Sequence, residues 1–218
     1  MHSMTEIWLV RHGETPWNVE SRVQGWEDIG LNEHGIEQAR SLARHMKLLS
    51  DSGTRLDAIY SSDLKRAQHT ASIVAESIGL PLALEPGIRE RHFGVLQGLI
   101  YSEMAQHQPE AYRIWRSRDP DLEMPEGESL GFFHRRVVGA MNNLAVKHPG
   151  ERIMVVSHGG AMDIIWRHAS QVGLQADRKA PLLNASLNRL SVSPESWKIL
   201  GWGEVDHLGQ DSQNDVTP

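Results

Sequence analysis

Apolar positions along this chain alternate between short continuous runs and longer stretches with helical spacing. The continuous runs are rich in valine, isoleucine and leucine, as in strands that are buried on both faces. They predict strands at 7–10, 56–60, 82–84 and 152–157, and a C-terminal hairpin formed by 187–192 and 197–202. Apolar residues at intervals of three and four predict helices at about 33–49, 64–78, 129–147 and 161–172.

Polar residues and glycines mark the ends of these helical stretches. Asn32 and Asp63 each precede a helical pattern and are expected to be N-caps, because their side chains can accept a hydrogen bond from the first turn. Gly79 and Pro149-Gly150 follow two of the helical patterns, and we expect the helices to end there.

The alternation of strand and helix patterns is typical of an α/β fold. We expect a three-layer sandwich, with a mostly parallel central sheet and helices on both faces. The stretch 87–127 has no clear period, several prolines and many charges, and it predicts an irregular lid excursion around 95–128 with one or two short helices. Residues 1–208 are expected to form a single domain, and the polar stretch 209–218 a disordered tail.

Composition limits the chemistry that this fold can carry. The 218 residues include no cysteine, which excludes disulfides and thiolate nucleophiles. With 28 acidic and 22 basic residues, the formal charge of −6 argues against a nucleic-acid partner. No apolar run approaches the roughly 18 residues that a membrane span needs, and the N-terminus does not resemble a signal peptide. We therefore expect no membrane partner and a cytoplasmic location.

Three predicted strand-to-helix junctions carry the charged residues of interest. They are Arg11-His12-Gly13, the stretch 61–66 that ends at Arg66, and the stretch 157–160 that contains His158. In a sheet that is parallel at its centre, the carboxyl ends of the strands lie along one edge. Two arginines and two histidines can therefore meet there, and the sequence predicts a site for an anion.

Four ordered blocks of sequence extend these junctions. They are Arg11-His12-Gly13-Glu14-Thr15, Ser61-Ser62-Asp63-Leu64-x-Arg66-Ala67, Ile88-Arg89-Glu90-x-x-Phe93-Gly94 and Ser157-His158-Gly159-Gly160. Together they resemble the motifs of the histidine phosphatase superfamily, in its phosphoglycerate-mutase-like branch. The resemblance covers most of 7–165 and implies the α/β sandwich that the periodicity predicts independently.

The resemblance also implies a role for each candidate site residue. His12 would be the nucleophile that forms a phosphohistidine, and Glu90 the general acid that protonates the leaving alkoxide. The groups implied to hold the phosphoryl oxygens are Arg11, Arg66, His158, Asn18 and the backbone N–H groups near Gln24, Gly25 and Gly159. His12 must be neutral to attack, whereas His158 would work best as a cation.

Two departures from the mutases of this family favour a hydrolase. The lid excursion has no adjacent arginines, and Gly160 stands where the mutases have asparagine after the last His-Gly. We expect a phosphomonoesterase for a small phosphorylated metabolite. A phosphoglycerate-type mutase is the alternative, and a non-catalytic protein that binds a phospholigand is a third possibility.

The sequence predicts neither a metal nor a cofactor, because no two histidines have a metal-ligand spacing such as His-Glu-x-x-His. It leaves the lid open to two interpretations: a pocket wall for a ring or a second anion, or a packed helix with a solvated basic face. The residues concerned are Tyr101, Tyr112, Arg113, Trp115, Arg116 and Arg118. The sequence does not indicate the oligomeric state.

Overall fold

The computed structural model describes residues 3–211. The strands are β1 (Thr5–Arg11), β2 (Ala58–Ser61), β3 (Leu82–Leu84), β4 (Arg152–Ser157), β5 (Leu187–Ser193) and β6 (Ser196–Glu204). The α-helices are α1 (Pro16–Val19), α2 (Glu33–Asp51), α3 (Lys65–Ile78), α4 (Met104–His107), α5 (Pro109–Ser117), α6 (Leu130–Lys147) and α7 (Gly159–Ser170). Short 3₁₀-helices lie at Pro86–Ile88, Gly94–Leu96, Tyr101–Glu103 and Asp206–Asp211.

All six strands form one sheet in the order β3-β2-β4-β1-β5-β6. The first four strands of that order are mutually parallel. Strand β5 runs antiparallel to β1, and β6 completes the predicted hairpin. The predicted sheet, parallel at its centre, is confirmed.

Both faces of the sheet are covered, which is why its central strands are continuously apolar. Ile7 and Leu9 of β1 belong to a core shared with α6 and α7, whereas Trp8 and Val10 belong to a core shared with α2 and α3. Successive side chains of a strand point to opposite faces. The three-layer prediction is therefore confirmed.

The predicted helix ends are confirmed at Asn32 and Gly79 and wrong at Asp63. The Asn32 side chain accepts a hydrogen bond of 2.7 Å from an N–H of the first turn of α2, and Gly79 ends α3 in the left-handed conformation. Helix α3 starts after Leu64 and has no side-chain cap. The Asp63 carboxylate instead accepts two hydrogen bonds from the guanidinium of Arg89, a charge-assisted pairing that outcompetes a cap.

The lid excursion packs around a small apolar core. Its Leu96, Met104, Ala111 and Met124 are buried together with Val23 of the segment after α1, and neighbouring aromatic side chains pack against them. Helices α4 and α5 match the one or two short helices predicted, although further turns of 3₁₀-helix join them. The lid is thus an ordered layer that can hold side chains in fixed positions above the sheet edge.

At the C-terminal end, the hairpin is followed by the 3₁₀-helix Asp206–Asp211. The predicted disordered tail, 209–218, begins within this helix, and 212–218 lie outside the described residues, so the prediction stays a prediction. Within residues 3–211, every helix is too short or too polar to cross a bilayer.

Candidate active site

The three junctions meet at one edge of the sheet, because β2, β4 and β1 are neighbours in that order. Backbone hydrogen bonds extend the pairing one residue beyond the strands: His12 N–H donates to Ser157 O at 3.0 Å. The rings of His12 and His158 consequently lie with their centroids 5.2 Å apart. Both histidines are almost completely buried.

One small pocket of about 50 Å³ collects most of the predicted site. The predicted residues on its wall are Arg11, His12, Asn18, Gln24, Gly25, Arg66, Glu90 and Gly159. His158, the remaining predicted residue, does not line the pocket but lies against His12. The structure therefore brings all nine residues into one neighbourhood, from four separate parts of the chain.

The tautomer of His12 follows from its hydrogen bond. Its Nδ1 lies 2.7 Å from Gly13 O, and a carbonyl oxygen can only accept, so Nδ1 carries the proton. The lone pair is then on Nε2. Burial lowers the pKa of His12 well below its usual range, and Arg66 and Arg11 lower it further. The ring is thus a neutral imidazole with an available Nε2, the form that a nucleophile requires.

A glycine next to His12 makes this placement possible. A Cβ at Gly13 would collide with the backbone carbonyl of Gly35 at the start of α2. The N–H of Gly13 donates to Thr70 Oγ1 of α3 at 3.0 Å. The loop after β1 is therefore pressed against two helices, and His12 is held in a fixed position.

Two buried guanidinium groups flank His12. Arg66 donates to Gly25 O at 2.7 Å and to Glu27 O at 2.9 Å, and Arg11 donates to Leu182 O. Burial lowers the pKa of Arg66 to about 10, so it remains a cation at neutral pH. Backbone carbonyls carry no formal charge, so these bonds hold the two guanidiniums in place without neutralising them.

The environment of His158 differs from the sequence expectation. Its Nε2 lies 2.8 Å from Ser62 Oγ, a contact that sequence reasoning did not anticipate. Burial lowers the pKa of His158 well below its usual range, and Arg66, His12 and Arg11 lower it further. The protein's own groups therefore favour the neutral form of His158 rather than the expected cation. An anion held between these groups would supply the opposite charge that raises this pKa.

Glu90 is held by backbone donors. Its Oε1 accepts from Arg91 N–H at 2.8 Å, and its Oε2 accepts from Gly160 N–H at 2.9 Å. Gly160 is at the start of α7, and a Cβ there would collide with the Glu90 carboxylate. Gly160 thus also sets the position of the candidate acid.

Asn18 and Gln24 take part in the local structure of the loop as well as lining the pocket. Asn18 Oδ1 accepts from Thr15 N–H and Thr15 Oγ1, both at 3.0 Å, in the capping box of α1. Gln24 Oε1 lies 3.1 Å from the same Thr15 Oγ1, whose single proton can serve only one of the two oxygens. Because Asn18 Oδ1 is engaged by Thr15 N–H, the side-chain N–H group of Asn18 is the one that suits an anion.

Comparison with known proteins identifies the family of the chain that carries this site. Residues 7–205 match the profile of the histidine phosphatase superfamily (branch 1). The chain belongs to the histidine phosphatase superfamily. This confirms the resemblance inferred from the four sequence blocks.

Relatives within the superfamily carry both phosphatase and mutase names. The chain is 42% identical to a metal-independent phosphoserine phosphatase of Arabidopsis thaliana, over 94% of this chain and 84% of the relative. It is 39% identical to phosphoglycerate mutase-like protein 4 of the same plant, over 93% and 86%. The structure of Bacillus stearothermophilus YhfR superimposes with a TM-score of 0.83 at 29% identity, covering 94% of this chain and 99% of that one.

A segment before β5 supports the loop that carries His12, and sequence reasoning missed it. Asn184 Nδ2 donates to His12 O at 2.8 Å, and Ala185 N–H donates to Arg11 O at 3.0 Å. Leu182 O is the acceptor for Arg11 already described. No local pattern in the sequence indicates these contacts, because they join residues more than 170 positions apart.

The residues around Glu90 make structural contacts. Arg89 forms a salt bridge with Asp63. Arg91 is 4% exposed and donates to Glu128 O at 3.0 Å, so it is part of the interior. His92 packs edge-on against Trp26 and does not line the pocket beside His12.

Among residues 3–211, no three His, Cys, Asp or Glu side chains come together as a metal-binding group. The predicted independence from metal ions stays a prediction. We expect turnover to be unchanged by a chelator such as EDTA, and loss of activity that a divalent metal restores would contradict it.

The lowered pKa of His158 predicts a specific pH dependence of stability. A histidine that stays neutral when folded but protonates when unfolded, at a pKa of about 6.5, costs stability as the pH falls below that value. We expect the free energy of unfolding of His158→Gln to decrease less steeply as the pH falls, by up to about 1.4 kcal/mol per pH unit, which is the limit for one titrating group. Urea unfolding in phosphate-free buffer between pH 7.5 and 5 measures it, and equal slopes would contradict it.

The contact between Gly160 and Glu90 predicts a second effect. Gly160→Ala should fold normally, because the added methyl meets the movable end of a side chain, but it should displace the Glu90 carboxylate. We expect kcat/KM for an alkyl phosphate to fall on the order of 10²-fold, the scale for a misplacement of about 1 Å.

Gly139→Ala provides the matched control for this substitution. Gly139 also lies in a helix, and a Cβ there meets no atom within 4 Å. Thermal unfolding shows whether either variant has lost its fold. If Gly160→Ala is stable and retains full activity on the alkyl ester, the positioning of Glu90 by Gly160 is refuted.

Proposed function

We propose that this protein is a phosphomonoesterase that hydrolyses a small phosphorylated metabolite through a phosphohistidine intermediate. The observation that carries the proposal is the neutral His12, with its lone pair on Nε2, set between the cations Arg11 and Arg66. A carboxylate, Glu90, lies on the wall of the same pocket.

In the first step, His12 Nε2 attacks phosphorus and the bond from phosphorus to the ester oxygen breaks. Glu90 gives its proton to the departing oxygen, so the alcohol leaves neutral. In the second step, Glu90 takes a proton from a water molecule, whose oxygen attacks the phosphohistidine. The bond from phosphorus to nitrogen breaks, inorganic phosphate leaves, and His12 and Glu90 return to their starting forms.

The remaining groups act on the charge of the phosphoryl oxygens. Arg11 and Arg66 offer fixed guanidinium donors, and backbone N–H groups near Gly25 and Gly159 offer further ones. His158 gains a proton as the dianion binds, because the anion raises the pKa that the two arginines lower. These groups cost little reorganisation because the fold already holds them in place.

A phosphoglycerate-type mutase is the second candidate, because a relative at 39% identity is named a phosphoglycerate mutase-like protein and one at 34% identity a probable phosphoglycerate mutase. Gly160 favours hydrolysis because it stands where the mutases that the sequence resembles have asparagine. The relative at 42% identity is named a phosphoserine phosphatase, which makes phosphoserine the first ester to assay.

The finer assignments, a cytoplasmic location and no nucleic-acid partner, remain proposals from composition.

Two assays on the purified protein separate the candidates. We expect inorganic phosphate to be released from phosphoserine and 3-phosphoglycerate, without formation of 2-phosphoglycerate. Fast isomerisation of 3-phosphoglycerate with negligible phosphate release would establish the mutase. Binding of an ester without either reaction would favour a non-catalytic role.

A further inference from the structure

Glu90 lies in a segment without regular backbone pairing. It follows the 3₁₀-helix Pro86–Ile88, and the next helical turn begins only at Gly94. Backbone carbonyls in such a segment need donors from elsewhere, because neither a helix nor a sheet supplies them. The position of the candidate acid therefore depends on side chains that reach this segment from other parts of the fold.

Trp26 is one of these side chains. Its indole Nε1 donates to Glu90 O at 2.7 Å, and its backbone N–H donates to Gln97 Oε1 at 2.9 Å. The guanidinium of Arg89 lies over the indole ring at 4.5 Å, and His92 packs edge-on against it. Trp26 thus contacts Glu90 and residues on both sides of it in the chain.

Trp26 is itself held in place. Arg66 donates to Gly25 O at 2.7 Å and to Glu27 O at 2.9 Å, so the carbonyls on both sides of Trp26 are fixed by one guanidinium. A side chain that positions another group must have a fixed position of its own. Arg66 supplies that condition for Trp26.

Arg136, near the start of α6, is the second donor to the segment. Its Nη2 donates to Glu90 O at 3.1 Å, and its Nη1 donates to Gly87 O at 3.0 Å and to Arg89 O at 3.1 Å. Its Nε and Nη2 also donate to the carboxylate of Glu128, and its side chain is only 15% exposed. One guanidinium therefore holds three carbonyls around the candidate acid, and Glu128 holds the guanidinium.

We propose that Trp26 and Arg136 are positioning residues that hold Glu90 where it can give its proton to the leaving oxygen. The inference rests on the proposed phosphomonoesterase activity and adds two residues on which its acid step depends. Both donate to the Glu90 carbonyl, whereas the carboxylate accepts from the N–H groups of Arg91 and Gly160. Different groups therefore set the place of the Glu90 backbone and the direction of its carboxylate.

Trp26→Phe tests the indole hydrogen bond, because it removes the N–H and keeps an aromatic ring. Proton transfer requires the acid within hydrogen-bond reach of the leaving oxygen. We expect kcat/KM for phosphoserine to fall by about tenfold. This is less than the 10²-fold scale of a misplacement of about 1 Å, since the carboxylate keeps its own two donors. For 4-nitrophenyl phosphate, whose leaving group needs no proton, the change should be below about twofold.

Trp197→Phe is the matched control for this substitution. Trp197 is also partly buried, its Nε1 donates to Asn142 Oδ1 at 3.0 Å, and it does not line the pocket beside His12. We expect both esters to be hydrolysed as by the unmodified protein. A general loss of structure in Trp26→Phe would lower kcat/KM for both esters together, and thermal unfolding would detect it.

Arg136→Lys should show the same selective loss on phosphoserine. Lysine keeps a positive charge near Glu128, but its single ammonium lacks the planar fork and cannot serve three carbonyls and a carboxylate. Arg189→Lys is the matched control, because Arg189 pairs with Glu204 in the C-terminal hairpin and does not line the pocket beside His12. It should leave the ratio of the two kcat/KM values unchanged.

A double-mutant cycle tests whether the two residues act through Glu90. In the Glu90→Gln background the acid is absent, so Trp26→Phe and Arg136→Lys should each change kcat/KM for phosphoserine by less than about twofold. Single-turnover measurements at high enzyme concentration give this value for the slow background. A tenfold loss in both backgrounds would show that the residues act independently of Glu90 and would overturn the proposal.

The outcomes also separate this inference from the proposed function. If the unmodified protein releases phosphate from neither ester, the phosphomonoesterase itself is refuted and the positioning role with it. Full activity of both variants on phosphoserine, or equal losses on both esters in folded variants, would refute only the positioning role of Trp26 and Arg136.

Discussion

Replacing His12 by alanine is expected to abolish turnover and to leave no phosphoenzyme to trap. The neutral ring is the only group to which we assign the bond to phosphorus, and alanine removes the Nε2 lone pair. We expect kcat to fall by about 10⁶-fold, the scale on which loss of a covalent nucleophile is felt, or to the assay background. Quenching the unmodified protein during turnover should yield an acid-labile, alkali-stable phosphoprotein.

Two measurements exclude a trivial loss of structure in His12→Ala. The variant should still bind inorganic phosphate by calorimetry, because Arg11 and Arg66 remain in the pocket. His107→Ala, a change at an exposed histidine of α4, should retain full activity. If His12→Ala keeps substantial turnover, or if the same phosphoprotein forms without His12, another residue is the nucleophile.

Local pattern was sufficient to predict the frame that carries this site. The continuous apolar run at 153–156 has neighbours on both sheet faces, and such a run can only be buried in the middle of a layered fold. Asn32 caps α2 as predicted because a cap depends on a few adjacent residues. The convergence of His12, Arg66 and His158 followed from topology alone, since parallel strands end at one edge.

What the sequence could not provide depends on contacts between distant segments. Asp63 looks like a helix cap locally, but Arg89 lies beside it in the fold and takes its carboxylate. Asn184 supports His12 from the other end of the chain. The uncharged state of His158 has the same origin, because it is set by burial and by the guanidiniums of Arg66 in α3 and Arg11 in β1. Such pairings become visible only when the chain is folded.

Glu90→Gln is expected to separate the two chemical steps. The substitution keeps the size of the side chain but removes the group that exchanges a proton. An alkyl ester needs that proton on its leaving oxygen, whereas 4-nitrophenolate is a stable anion and leaves without it. We expect kcat/KM to fall by about 10²- to 10⁴-fold for an alkyl phosphate, the usual range for general acid catalysis, and by less than about tenfold for the aryl ester.

The second step gives this prediction a readout that a merely structural loss would not produce. Hydrolysis of the phosphohistidine needs Glu90 as a base. In Glu90→Gln the aryl ester should therefore phosphorylate His12 faster than water hydrolyses the phosphohistidine. A burst of 4-nitrophenol equal to the enzyme concentration, with accumulation of the acid-labile phosphoprotein, is the expected result. A glutamine side chain has one oxygen and can accept only one of the two backbone hydrogen bonds, from Arg91 and Gly160, that the carboxylate accepts. The stability of the variant should therefore be measured by thermal unfolding alongside the kinetics. Equal losses of kcat/KM on both esters in a folded variant, without a burst, would show that Glu90 takes part in neither proton transfer. Its carboxylate would then serve only to hold the start of α7.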